Sequence, residues 1–161
     1  MKKLLISFFV LAACALSAKA QSGFVGGSLT LFMSDHFMSQ VTAHGGYEFS
    51  DRLAAYAGVG FAAVYEGEWG AAGSSELVLR WTPWHGNVLY LDLKPRVAMA
   101  FTSSIDIVDV GIIPSLRFRV SPHWDIFADF GSLGARYYYG TWVPFVGVTS
   151  VQAALGVNFR F

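Results

Sequence analysis

The chain has 161 residues, with 11 basic and 11 acidic side chains and a single cysteine. Charged residues make up only 14% of it against about a quarter in an ordinary soluble domain, while 54% is hydrophobic. The balanced charge offers no electrostatic basis for a nucleic-acid partner, and one cysteine cannot build an internal disulfide framework.

At the amino terminus, Lys2 and Lys3 precede an apolar run from Leu4 to Leu16, and Ala18-Lys19-Ala20 follows. A basic, an apolar and a small-residue region in that order read as a secretory signal peptide, residues 1–20, too short for a spanning helix. Leu11-Ala12-Ala13-Cys14 also resembles a lipobox. Ala18-Lys19-Ala20 is the better-placed cleavage site, and whether Cys14 carries a lipid stays open. Removing Lys2, Lys3 and Lys19 leaves residues 21–161 with a net charge of about −3 and no cysteine.

Beyond the signal, no uncharged apolar stretch approaches the roughly 20 residues of a spanning helix. The longest, Leu53 to Tyr65, contains Gly58 and Gly60. The pattern is instead alternation, in which successive side chains of a strand take opposite faces. Eight strands are expected, at 22–32, 40–49, 53–65, 75–82, 88–101, 106–120, 125–137 and 149–161. Turn signals at 50–52, 83–87 and 121–124 gather at one end with both termini, and connections at 33–39, 66–74, 102–105 and 138–148 gather at the other.

The fifth strand sets Leu89, Leu91, Leu93, Val97, Met99 and Phe101 against Tyr90, Asp92, Lys94, Arg96, Ala98 and Ala100. The sixth sets Val108, Val110, Ile112, Leu116, Phe118 and Val120 against Asp109, Gly111, Ile113, Ser115, Arg117 and Arg119. A closed sheet wetted by lipid outside accounts for high hydrophobicity without helical spans. Its inward positions would be Glu48, Glu76, Asp92, Asp109 and Asp129 against Arg80, Lys94, Arg96, Arg117, Arg119 and Arg160. An eight-stranded barrel is only wide enough for side chains to fill it, so these charges should pair and plug the lumen. Ala54, Tyr56, Gly58, Gly60 and Ala62 leave room for the long arginines. Pro95 and Pro114 interrupt two strands; a hairpin folding between Ser104 and Ile105 would set them opposite one another and confine the missing donors to one defect. The same register places Asp92 opposite Arg117.

The final segment, Val151 to Phe161, alternates to its end on Phe159, Arg160 and Phe161. It resembles the last strand of bacterial outer-membrane β-barrels, a segment recognised by the barrel-assembly machinery. With the signal peptide and the eight alternating segments, residues 21–161 resemble the small OmpA/OmpX-like barrels. That resemblance implies an all-β, eight-stranded antiparallel up-and-down transmembrane barrel in the bacterial outer membrane of a Gram-negative cell, both termini periplasmic, in contact with membrane lipid and lipopolysaccharide. Phe49, Trp81, Trp84 and Trp124 would form the periplasmic aromatic girdle; Tyr65, Trp69, Tyr137, Tyr138, Tyr139, Trp142 and Phe145 would form the outer one.

The family includes structural proteins, adhesion proteins and a few enzymes of lipid A. The residues favour a non-catalytic barrel with a structural or surface-interaction role and no cofactor. A lipid A acyltransferase or deacylase with a rim Ser/His/acid site is the alternative, from Asp35-His36 and Ser74-Ser75-Glu76. Neither the His-x-Ser motif of the deacylases nor an amphipathic N-terminal helix like that of the palmitoyltransferases is present. His36, His44, His85 and His123 lack metal-ligand spacing. The segment Tyr137 to Val148, rich in Tyr, Trp and Gly, suits either a contact surface for an unknown ligand or an anchor in lipopolysaccharide.

Overall fold

A computed structural model describes residues 22–33, 37–65, 69–101, 106–138, 140–146 and 151–161. The signal-peptide region, Cys14, Asp35, His36 and Tyr139 lie outside the described residues. Ten strand segments follow one another: β1 (Ser22–Met33), β2 (Phe37–Ser50), β3 (Leu53–Tyr65), β4 (Trp69–His85), β5 (Leu89–Phe101), β6 (Asp106–Arg119), β7 (Trp124–Phe130), β8 (Leu133–Tyr138), β9 (Thr141–Val146) and β10 (Val151–Arg160). Each pairs antiparallel with its neighbours. β1 to β7 follow in order, β10 joins β7 to β1, and the β5–β6 pairing completes an eight-position closed barrel. β8 continues β7 along β6, and β9 lies beside β8.

Closure pairs the eight wall positions with one another, and that is how a sheet satisfies its backbone within lipid; among the described residues β9 is paired on its β8 side alone. Burial alternates accordingly. On β3, Ala54 and Ala62 are buried while Leu53, Val59 and Phe61 are exposed. On β7, Asp125 and Phe127 are buried while Ile126 and Phe130 are exposed.

Two expectations about segment limits need correction. β4 begins at Trp69 because the small residues Gly70 to Ser75, which resemble a loop in composition, pair with β3. It also runs past Pro83 to His85, since the register slips between Trp81 and Trp84 and a bulge takes up the proline. The turn is therefore 86–88.

The seventh position, expected as one strand over 125–137, is broken. Ser115 pairs with Asp129 but Ile112 pairs with Leu133, so one extra residue sits opposite β6. Gly131 supplies it with a φ of 66°, a left-handed backbone that glycine adopts without strain. The hairpin then turns tightly before β9, with Gly140 at a φ of 82°.

The expected β5–β6 register is two residues out. Pro95 pairs with Ile112, Pro114 with Leu93, and Asp92 with Ser115. Phe101 pairs with Asp106, where the expected register set it against Val108. A shift of two preserves every face. The prolines therefore make two separate defects. The β4–β5 ladder lapses at Leu79 and Arg80, beside Pro95, and the ladder on the far side of β6 lapses at Ile113 and Pro114, beside the Gly131 bulge.

Candidate functional site: the lumen of the barrel

Inward side chains make three layers. Nearest the end that carries both termini, Arg117 on β6 lies almost wholly out of solvent, between two carboxylates with no exposure at all, Asp92 and Asp125. Its Nε donates to Asp92 Oδ2 at 2.8 Å and its Nη2 to Oδ1 at 3.3 Å. Its Nη1 donates to Asp125 Oδ2 at 3.3 Å. The Thr82 hydroxyl, turned inward by its place before the β4 bulge, donates to Asp92 Oδ1 at 2.6 Å. Arg160 Nη2 lies 2.5 Å from Asp125 Oδ2 and 3.5 Å from Glu48 Oε1, and Arg80 is hydrogen-bonded to Glu48. Arg119 Nε lies 3.6 Å from Asp125 Oδ1. Arg117 and Arg119 also stand over the Tyr90 ring, at 4.4 and 4.8 Å.

These pairs join β2, β4, β5, β6, β7 and β10, and those of Glu48 with Arg80 and Arg160 bridge strands that are not neighbours in the wall. A two-pronged guanidinium–carboxylate contact fixes direction as well as distance. Removing one partner would strand a buried charge.

The middle layer is mainly rings. His44 packs against Phe24, Tyr56 and Phe127 with centroids 5.2–6.4 Å away, and its Nε2 lies 2.7 Å from Asn158 Oδ1. Lys94 reaches Asp129 at 2.6 Å and lies 4.0 Å from the Phe127 centroid. Above it, Arg96 approaches Glu76 at 3.5 Å, and Arg136 grips Asp109 through Nε at 2.7 Å and Nη2 at 3.0 Å. A cavity of about 20 Å³, bordered by Gln40, Thr42, His44, Glu76 and Arg96, leaves space for about one water.

All of Glu48, Glu76, Arg80, Asp92, Lys94, Arg96, Asp109, Arg117, Arg119, Asp129 and Arg160 have an oppositely charged group within 4.0 Å. The Asp92–Arg117 contact exists diagonally, across the corrected register. Sequence reasoning missed two charged members. Asp125 opens the expected seventh strand and shares the parity of Asp129, so the alternation already carried the signal that it faces inward. Arg136 has the wrong parity for an unbroken strand, and the signal for its true direction was Gly131.

The girdle residues Trp81, Trp84 and Trp124 are about half exposed, and the Trp124 ring meets Phe159 at 5.0 Å. Trp81 and Trp84 have opposite parity and both face outward because the bulge lies between them. Phe49 is half-buried near the same end. Tyr137 and Trp142 pair at 5.4 Å across the β8–β9 hairpin, and Tyr138 closes β8. Phe161 exchanges backbone hydrogen bonds with Gly23 at 3.0 and 3.2 Å, and its ring covers that glycine. Of the rim Ser/His/acid candidates, Ser74 Oγ accepts a 2.8 Å hydrogen bond from Gln40. Glu76 is the partner of Arg96.

No family model matches the chain, and no curated protein is similar to it in sequence. Solved structures are. The N-terminal β-barrel domain of Pseudomonas aeruginosa OprF is 15% identical, with 89% of this chain and 100% of that one covered, at a TM-score of 0.54. A de novo designed transmembrane β-barrel is 12% identical, covering 89% and 98%, at 0.52. A major outer membrane protein from Thermus thermophilus is 14% identical, covering 87% and 98%, at 0.51. The chain has the fold of the small eight-stranded transmembrane barrels of outer membranes.

Proposed function

We propose that this protein is a non-catalytic integral barrel of the bacterial outer membrane, processed after residue 20, with both termini periplasmic and a structural or surface-interaction role. Its partners are then outer-membrane lipid and lipopolysaccharide, the barrel-assembly machinery acting through Phe159 and Phe161, and an unidentified ligand at the outer rim. The observation that carries this reading is the filled lumen. Paired charges and a ring layer span its interior, and the small cavity beside Gln40 and Glu76 would hold about one water. Such an interior passes neither solute nor substrate.

The test is reconstitution of the purified protein into planar bilayers, beside electrophoresis with and without boiling. The expected result is a heat-dependent mobility shift with no stable ion conductance. Steady channels of uniform size would overturn the plugged-lumen reading. Lipid A of unchanged mass on deleting or overexpressing the gene is the further outcome expected of a non-catalytic barrel.

A further inference from the structure

The end of the lumen that carries both termini holds more positive charge than it can pair. Four guanidiniums, on Arg80, Arg117, Arg119 and Arg160, meet three carboxylates there, on Glu48, Asp92 and Asp125. The exposed turn residues Asp51 and Arg52 at the same end balance one another. Arg80, Arg117 and Arg160 each donate a hydrogen bond to a carboxylate. Among the described residues Arg119 donates none. The oxygen it approaches, Asp125 Oδ1 at 3.6 Å, belongs to a carboxylate already shared by Arg117 and Arg160.

Hydrogen bonding shows the same surplus. Nε of Arg119 and Nε of Arg160 are buried without a partner, against one unpartnered acceptor, Asp125 Oδ1. If Arg119 swung in to take that oxygen, one donor and one whole charge would still be left over. The buried Tyr90 ring, 4.8 Å from the Arg119 guanidinium, holds it by an attraction to the ring face that occupies none of its N–H groups. Tyr90 is itself fixed by Arg117 at 4.4 Å and by the stacked His85 ring at 6.2 Å. About a third of the Arg119 side chain, 34%, stays exposed, so ions in solution reach it. The rings of Phe24, His44, Tyr56 and Phe127 close the lumen beyond.

We propose that this mouth of the barrel binds one small soluble oxyanion of the phosphate class, held between Arg119 and Arg160. A single negative charge restores the balance among the four guanidiniums and three carboxylates. Guanidinium N–H groups match phosphate oxygens in pairs, and a tetrahedral anion accepts from two such forks at once, whereas a carboxylate has two oxygens for one fork. A lumen of eight strands filled by side chains admits an ion and no larger body. This rests on the barrel reading above, by whose orientation the anion comes from the periplasm.

Nuclear magnetic resonance of the arginine side chains, in folded nitrogen-labelled protein held in an uncharged detergent, tests it. Inorganic phosphate, added at constant ionic strength against sodium chloride, should shift the Nε–H signals of Arg119 and Arg160 together and to saturation. Arg119→Gln removes a hydrogen bond between charged groups and should weaken binding, read at Arg160, by about tenfold or more. Arg52→Gln, at the same end but in a turn, should leave the affinity unchanged. No saturable shift, equal affinity in Arg119→Gln, or tighter binding of a short-chain phosphatidylcholine than of phosphate would overturn the proposal. The same samples are run unboiled and boiled. A preparation that shifts mobility yet binds no phosphate sinks this site alone, whereas one that never shifts counts against the barrel reading itself.

Discussion

Arg117 shows how much a single side chain can decide in a lumen this narrow. It holds Asp92 with two nitrogens and Asp125 with a third, so without it Asp92 would be a buried charge short of its main donor, and Asp125 would depend on Arg160. Arg117→Met should destabilise the barrel by about 3–5 kcal/mol, the usual cost of breaking a buried pair from one side. Urea unfolding in lipid vesicles, followed by tryptophan fluorescence, reads that loss. Replacing Arg117 and Asp92 together by apolar residues of similar volume should recover most of it, because their desolvation cost disappears with the pair while Asp125 keeps Arg160. Thr82→Val removes one donor to Asp92 and is expected to cost about 1–2 kcal/mol in the same assay.

At the scale of the element, faces were legible in the sequence and irregularities were not. Alternation on β5 and β6 assigned every outward residue from Leu89 to Phe118 correctly, because period two survives any even slip of register. The slip itself depended on the 102–105 connection, whose length composition does not specify. The β4 bulge at Thr82–Pro83 and the extra residue at Gly131 each change parity, and although a proline and a glycine mark the places, pairing partners are needed to show that a residue is inserted there. Arg136 is the clearest casualty: before the bulge its number belongs to the lipid face, and after it to the lumen opposite Asp109. Deleting Ser132 should therefore turn Arg136 toward hydrocarbon and swap the faces of β8. The fraction of unboiled protein running as the compact form is expected to fall sharply, while Arg136→Gln in the intact chain should leave it nearly unchanged. Gly131→Val forces a branched side chain onto a φ of 66° and should cost about 1–3 kcal/mol by unfolding in vesicles.

At the scale of the whole molecule the two faces of the wall divide the work. Outside, residues such as Val59, Phe61 and Leu155 are more than 60% exposed and gain their stability from the surrounding lipid. Inside, ion pairs reinforce neighbouring strands, and those of Glu48 with Arg80 and Arg160 and of Lys94 with Asp129 tie strands that are not paired in the sheet. Raising ionic strength should therefore alter stability little, since buried pairs are poorly screened. Titration of the unfolding midpoint with sodium chloride checks this, and a steep decline would mean the lumen is open to solvent. The seam between β1 and β10 has a consequence in time. Phe24 pairs with Arg160 and Gly23 with Phe161, so the first strand to be synthesised waits for the last before its second side is covered. Contacts that distant in sequence make folding slow, and until they form the nascent sheet has two bare margins able to capture other polypeptides. Transit through an aqueous compartment would then require an escort that shields those margins.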